Sequence, residues 1–352
     1  MDISSQNDIE LKKELKAASL RYVSDDIPGI TRQKKGKEFI YTKDNKVIDD
    51  ANVKERIEKL VIPPAWENVW ISPTANGHIQ ATGRDEKGRK QYIYHEDWNK
   101  LMQQNKFNKM IFFGDVLPSI RREITAGMQE RGLTQKKIIS TIIWLLGKTY
   151  IRIGNEEYAK ENQSYGLTTM RMKHVDVTGD TVRFEFKGKS GKFHSVEVEN
   201  PRVAKTIKKL EDLPGYELFQ YVDEEGERHT VASDDINDYL QKLTGEDISA
   251  KDFRTWGGTV FAAENLYNEG VFESKKEELE KISLAVKLVS KHLGNTTKVC
   301  RAYYIHPAVI SAYEKKELIP YFQECKYDYK NGIGLTRNEY SVHRLIKRYS
   351  KS

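Results

Sequence analysis

Five residues, taken in chain order, carry the side chains that attack on a phosphodiester without a metal ion would need. They are Arg152 in Ile-Arg-Ile-Gly-Asn, Lys189 in Gly-Lys-Ser-Gly-Lys, Arg254 in Lys-Asp-Phe-Arg-Thr-Trp, and Asn295 and Tyr304 in the stretch from Gly294 to Tyr304. Phosphoryl transfer needs charge stabilisation on the non-bridging oxygens, a nucleophile, and a proton for the leaving oxygen. Arginines give bidentate contacts to phosphate and stay protonated. A lysine whose pKa falls on burial near other cations can serve as a general acid. A free tyrosine, with a pKa near 10, is ionised only about once in a thousand molecules at neutral pH, and neighbouring guanidinium groups lower that cost. The aryl phosphate so formed has a good leaving group, so a hydroxyl can reverse the step. Bond energy is conserved, and no nucleotide cofactor is required.

Each residue alone also has an ordinary reading. Tyrosine is common here, with 19 in the chain, and Tyr303 adjoins Tyr304. Arg152 beside a helix end could neutralise the helix dipole, and Gly188-Lys-Ser-Gly-Lys192 could be a charged hairpin turn. Arg89, Lys90 and the Gln91-Tyr-Ile-Tyr94 run combine basic and aromatic groups suited to a groove and its phosphates. His78, His174, His292 and His306 share no metal-ligand spacing and read as structural. Gly83-x4-Gly88-Arg-Lys lacks the Gly-Lys-Ser/Thr ending of a phosphate loop, which argues against nucleotide binding there. The acidic pairs Asp25-Asp26 and Asp234-Asp235 read as solvated surface. Cys300 and Cys325 form neither a metal-type spacing nor a disulfide framework.

The elements that must position these groups divide the chain in two. A length of 352 residues favours two domains, and 38% hydrophobic with 31% charged residues fits a protein with a sizeable core. Residues 1–105 look β-rich, with period-two alternation at Asn68–Ser72 and Gln91–His95, a helix over Asp50–Leu60, and turns at Pro63-Pro64 and Asn76-Gly77. From about Lys106 the period becomes helical. An apolar stripe from Ile138 to Tyr150 precedes Arg152, with Gly154 expected to terminate the helix. Val182, Phe184 and Phe186, then Val196 and Val198, alternate as a hairpin with Lys189 at a mobile tip. A long helix over Lys275–Leu293 should end at Gly294, and the basic tail from Arg344 could be helical or frayed. The expected fold is therefore α+β: a small antiparallel β-rich N-terminal domain (1–105) and a mainly helical C-terminal domain (106–352) containing a β-hairpin.

The net charge of +6 permits a polyanionic partner without demanding one. No apolar run approaches a membrane span, and the polar, acidic Met1–Asp8 argues against a signal peptide. A reducing cytoplasm follows by default.

The ordered set of motifs resembles the type IB DNA topoisomerases, in their compact poxvirus and bacterial branch. The resemblance spans most of the chain and rests on Ile62-Pro-Pro-Ala-Trp66, Asn76–Asp85, Gly88-Arg-Lys-Gln-Tyr-Ile-Tyr94, Arg152-Ile-Gly-Asn-Glu-Glu-Tyr158, Tyr165-Gly-Leu-Thr-Thr169 and Lys251–Trp256. It implies a tyrosine-recombinase-like catalytic domain. Tyr304 would form a 3′-phosphotyrosyl bond, Arg152 and Arg254 would clamp the scissile phosphate, and Lys189 would protonate the departing 5′ oxygen. The position nine before the tyrosine is histidine in many members; Asn295 can donate a hydrogen bond there but cannot titrate. Gln91, Tyr92, Tyr94, Tyr158 and Lys251 match positions implied to hold DNA. The implied activity relaxes supercoiled duplex DNA with neither metal nor ATP nor any other cofactor. The implied state is a monomer clamped around double-stranded DNA, cytoplasmic at the nucleoid, with no membrane partner. Two rivals are a tyrosine recombinase, disfavoured by lysine rather than histidine at position 251 and by the β-rich N-terminus, and a non-catalytic DNA-binding protein.

Overall fold

A computed structural model describes residue 11 and residues 13–36, 38–327 and 334–350. The octet Met1–Asp8 and the last two residues of the basic tail lie outside the described residues. The chain forms two compact units, Met1–Lys106 and Phe107–Ser352.

The first unit is built on a six-stranded antiparallel sheet in the order β3-β2-β1-β4-β5-β6. Its strands are β1 (Ile30–Lys35), β2 (Glu38–Lys43), β3 (Lys46–Val47), β4 (Glu67–Ile71), β5 (Ile79–Arg84) and β6 (Lys90–Tyr94). Helix α1 (Ala51–Lys59) begins where the Asp50 carboxylate accepts the amides of Asn52 and Val53. Alternation turns Ile30, Val69, Ile71 and Ala81 inward onto Ile57 of α1. Arg32 fixes the diproline turn by donating to the carbonyls of Ile62, Pro63 and Trp66. Strand β6 pairs only with β5, so its outer edge is open among the described residues.

The sequence pattern is late by ten residues at the next element. Helix α2 runs from Glu96 to Gly127, whereas helical periodicity is apparent only from about Lys106. Its first turns are polar, with Lys100 paired to Glu96 and Asp97, so no apolar stripe marks them. The division between the two units falls inside this helix.

The second unit is mainly helical. Its members are α3 (Gln135–Thr149), α4 (Glu156–Asn162), α5 (Pro201–Glu211), α6 (Ser233–Thr244), α7 (Ala250–Glu269), α8 (Lys275–Leu293), α9 (Thr297–Tyr303), α10 (Pro307–Glu314), α11 (Leu318–Glu324) and α12 (Arg337–Tyr349). The basic tail is thus helical as far as Tyr349. Helix α7 is the hub: it packs against α3, α8, α10, α11 and α12, and Phe253, Trp256, Ala262, Ala263 and Leu266 are buried along it. Beside the helices, β7 (Val175–Thr178), β8 (Thr181–Lys187) and β9 (Phe193–Glu199) form a three-stranded antiparallel sheet. The expected hairpin therefore has a third strand. Val182, Phe184 and Phe186 of β8 are buried, as alternation requires. A second, two-stranded sheet pairs β10 (Gln220–Val222) with β11 (Arg228–Thr230).

Two local expectations are corrected. Helix α3 ends at Tyr150, which takes the left-handed conformation at φ 52°, and not at Gly154. Asp25 is not solvated: it accepts from Thr82 Oγ1 at 2.9 Å and pairs with Lys90 at 2.7 Å. These contacts, with the Lys90 hydrogen bond foremost, hold its carboxyl below the usual range. Asp235 is likewise engaged, accepting the amide of Ala232 at the start of α6.

Candidate active site

Arg152 stands in an extended segment two residues beyond the left-handed end of α3. That segment is held by a short backbone ladder, Leu167 N to Arg152 O at 2.9 Å and Thr168 N to Ile153 O at 2.7 Å. The approach demands glycine at position 166, where a Cβ would sit 2.5 Å from the Arg152 carbonyl oxygen. The Tyr165-Gly-Leu-Thr-Thr169 motif is thus the backing plate of the arginine. Arg152 Nη2 donates to Asn295 Oδ1 at 2.6 Å.

Arg254 projects from the second turn of α7, whose start is fixed by Asp252 accepting from both Ser249 N and Ser249 Oγ. Arg254 as a whole is only 5% exposed. One nitrogen, Nη2, donates to the Leu293 carbonyl at 2.8 Å, and Nη1 donates to the Tyr150 carbonyl. The remaining nitrogen, Nε, is buried without a hydrogen-bond partner. The two arginines bond to the Tyr150 and Leu293 carbonyls, the Asn295 amide oxygen and the Tyr304 side chain, none of them a carboxylate. Burial first, and then the Arg152 charge, pulls the Arg254 guanidinium down to about 10, while an ionised Tyr304 pushes it back up. Burial also lowers Arg152, again opposed by ionised Tyr304. Two guanidinium groups held together at this electrostatic cost form a receptor for an anion.

Tyr304 closes α9, with its backbone at φ −128° and ψ −1°. Its amide donates to the Cys300 carbonyl at 2.9 Å. Its ring lies over the Arg254 guanidinium, 5.4 Å from ring centroid to Cζ. The chain packs this closely because position 258 is glycine: a Cβ there would meet the Tyr304 carbonyl oxygen at 2.6 Å.

Lys189 is exposed at the turn between β8 and β9. The turn is tied down, with Gly188 N bonded to Lys192 O at 2.7 Å, Ser164 Oγ to Gly188 O at 3.2 Å, and Lys192 Nζ to Asn295 O at 3.1 Å. Asn295 follows Gly294, the left-handed end of α8, and its amide donates to Ser290 O. The Nδ2 of Asn295 is buried and unpartnered.

These elements enclose a cavity of about 380 Å³, lined by Arg152, Lys189, Arg254 and Tyr304 together with Tyr158 and Lys251. Asn295 stands behind Arg152 and does not line it; nor does Tyr303, which is 45% exposed. Tyr158 comes from α4, whose Asn155 cap accepts its amide. Lys251 is exposed on the first turn of α7. A cavity with this lining can receive a phosphate between two guanidinium groups, with a phenol and an ammonium group at its edge. Among the described residues no three His, Cys, Asp or Glu side chains are placed to hold a metal.

Gln91, Tyr92 and Tyr94 belong to β6 in the first unit. Tyr92 and Tyr94 stack at 5.7 Å on the face that also presents Lys90. Gln91 alternates to the opposite face and donates to Asp85 at 2.9 Å. The four histidines have packing or capping roles: His78 and His174 accept backbone amides through Nδ1, His306 caps α10, and His292 packs between Tyr150 and Phe261.

Sequence reasoning missed Lys192 and His194. Lys192 closes the same Gly-Lys-Ser-Gly-Lys motif as Lys189, a signal that was available. His194 carries no motif.

Comparison with known proteins points one way. A family model described as "Eukaryotic DNA topoisomerase I, catalytic core" matches residues 95–330, and one described as "Bacterial DNA topoisomerase IB, N-terminal domain" matches residues 38–85. The chain is 33% identical over 309 residues to DNA topoisomerase 1B of Acanthamoeba polyphaga mimivirus, covering 85% of this chain and 91% of that protein. It is 23% identical over 296 residues to DNA topoisomerase 1B of vaccinia virus (strain Western Reserve), covering 81% and 89%. A 194-residue segment is 27% identical to DNA topoisomerase 1 of Schizosaccharomyces pombe, covering 54% of this chain and 22% of that protein.

Proposed function

The chain belongs to the type IB DNA topoisomerase family, and from that premise we propose that its reaction is carried by the residues round the 380 Å³ cavity. The protein relaxes supercoiled duplex DNA by transient cleavage of one strand through a 3′-phosphotyrosyl intermediate, strand rotation and religation, using neither ATP nor metal.

In the proposed assignment, Arg152 and Arg254 grip the non-bridging oxygens of the scissile phosphate. Tyr304 Oη attacks phosphorus and passes its proton to solvent water as the P–Oη bond forms. The bond from phosphorus to the 5′ oxygen breaks, and Lys189 delivers a proton to that oxygen. Religation is the reverse: the 5′ hydroxyl attacks, Lys189 takes the proton back, and Tyr304 leaves and regains a proton from solvent water. Asn295 donates a hydrogen bond toward the phosphate from behind Arg152. The observation that carries this reading is the pair of guanidinium groups facing one cavity with Tyr304, where Arg254 keeps a buried, unpartnered Nε. Such donors are worth most where charge develops in a water-poor site.

We also propose that Tyr158 and Lys251, and Gln91, Tyr92 and Tyr94 in the first unit, contact the duplex. The protein then acts as a monomer whose segments 1–105 and 106–352 clamp the DNA. No described helix is long and apolar enough to cross a membrane, and the proposed place of action is the cytoplasmic nucleoid.

The test is relaxation of a negatively supercoiled plasmid in EDTA without ATP, comparing the parent with Tyr304→Phe and Tyr303→Phe. Relaxation by the parent and Tyr303→Phe but not by Tyr304→Phe supports the assignment. Relaxation by Tyr304→Phe would move the nucleophile elsewhere.

A further inference from the structure

The imidazole ring of His194 occupies a slot between two glycines, and each glycine directly precedes a residue of the proposed reaction. A Cβ on Gly188 would fall 2.7 Å from His194 Cδ2 and 2.8 Å from Nε2, and a Cβ on Gly294 would fall 2.5 Å from Cε1. The two glycines differ in what they need. Gly294 sits at φ 62°, where the end of α8 favours glycine in any case. Gly188 sits at φ −94° and ψ −166°, an extended backbone that any residue adopts. Glycine at 188 is therefore required by the ring and not by the chain. On a third side, Phe186, the partner of His194 across the β8–β9 ladder, stacks on it at 5.2 Å with the planes 13° apart.

The turn that carries Lys189 is thus fastened to the turn that carries Asn295 at two points. One is polar, from Lys192 Nζ to the Asn295 carbonyl. The other is the His194 ring. We infer that His194 is a positioning residue whose ring sets the Lys189 turn against the Gly294–Asn295 turn and so aims the lysine at the cavity holding Tyr304. The inference rests on the reading of Lys189 as the proton donor. Burial first, then Arg152, Arg254 and Lys192, holds the imidazole below its usual range. The ring therefore fills the slot as a neutral spacer and adds no fourth positive charge beside the arginines.

The test measures single-turnover cleavage and equilibrium binding on one duplex, with thermal unfolding of each variant. His194→Ala should cleave about ten- to a hundredfold more slowly, the scale expected when a reacting group is displaced by around an ångström, with binding changed less than about twofold. His194→Phe, which refills the slot, should recover to within about threefold of the parent. Gly188→Ala should be slow for the same reason, and Gly188→Ala combined with His194→Ala should be faster than Gly188→Ala alone. Because His194 acts through Lys189, adding His194→Ala to Lys189→Ala should slow cleavage no further.

Parental cleavage by His194→Ala, equal losses in rate and binding, a His194→Phe as slow as His194→Ala, or an additive double variant would each overturn the inference. If His194→Ala fails to fold, Gly188→Ala decides: slow cleavage with intact binding supports the wedge, and parental cleavage removes it. A Lys189→Ala that cleaves at the parental rate would instead remove the proton-donor assignment. A slow Lys189→Ala beside an unaffected His194→Ala would remove only the role of His194.

Discussion

Asn295 is used from one end only: its Oδ1 accepts from Arg152 at 2.6 Å, while its buried Nδ2 has no partner. A buried amide donor left unbonded costs about 1–3 kcal/mol, and the proposed hydrogen bond to a phosphate oxygen would remove that cost. Asn295→Ala should slow single-turnover cleavage by roughly 10²-fold, the scale of losing one oxyanion donor. Asn295→Asp should be slower still, because a carboxylate there pairs with Arg152 and repels the phosphate. An Asn295→Asp that outpaces Asn295→Ala would show that this side chain does not face the anion.

Gly258→Ala tests how tightly the proposed nucleophile, Tyr304, is seated. Alanine is a better helix former than glycine by about 1 kcal/mol, so α7 itself should gain. The new Cβ would, however, fall 2.6 Å from the Tyr304 carbonyl oxygen. The expected outcome is a lowered Tm, because the backbone must give by several tenths of an ångström, with cleavage slowed roughly tenfold or more. Normal cleavage with a lowered Tm would mean that Tyr304 tolerates the shift.

Lys251 is exposed at the mouth of the cavity. As a phosphate contact, its replacement by alanine should weaken DNA binding evenly across sequences and reduce the slope of log K against log salt by about one. A titration at several salt concentrations reads the slope directly, and an unchanged slope places Lys251 off the DNA.

Legibility followed the range over which the signal is carried. Helix α8 and its Gly294 end, the α1 helix with Asp50 before it, and the inward side of β8 are each stated by neighbouring residues, through a 3.6-residue or two-residue period. The five proposed reaction residues were picked out from types and order; that Arg152, Lys189, Arg254 and Tyr304 line one cavity, with Asn295 behind Arg152, depends on contacts over a hundred residues apart, such as Arg152 with Asn295. What escaped was non-local or masked. The start of α2 is hidden by polar first turns, and the end of α3 by a left-handed tyrosine in place of glycine. The Asp25 partnership with Lys90 spans 65 positions. The slot of His194 is formed by Gly188, six residues before it, and Gly294, a hundred residues after, a combination that no periodicity announces.

A buried carboxylate ties the C-terminal helix α12 to the hub helix. Glu339 accepts two bonds from Arg121, at 2.9 and 2.7 Å, one from Trp256 Nε1 at 3.2 Å and one from Thr336 N at 2.7 Å. Burial opposes the carboxylate charge, yet Arg121 and the other donors bring its net pKa below the ordinary value. A depressed folded pKa gives stability that is present above the unfolded value, near 4.3, and lost as pH falls through the folded value. Glu339→Ala should cost roughly 2–4 kcal/mol at neutral pH, since it strands a partly buried Arg121. That gap should narrow as pH falls below about 4, where the parent loses the same charge. Thermal unfolding from pH 7 to 3 checks both; a gap that widens toward acid would reverse the sign.

Tyr304 lies at the end of its helix with its carbonyl oxygen against Gly258 and 3.4 Å from Thr259 Oγ1. If Tyr304 holds the cut strand as proposed, an anchor this short would leave the joined end with almost no play. All the swivelling would then occur in the DNA beyond the break, driven by stored torque. How many turns are lost in one event would become a contest between that torque and the chance that the free 5′ hydroxyl, sweeping past a fixed target, is recaptured. A floppier tether would blur the target and turn a brief nick into a persistent one.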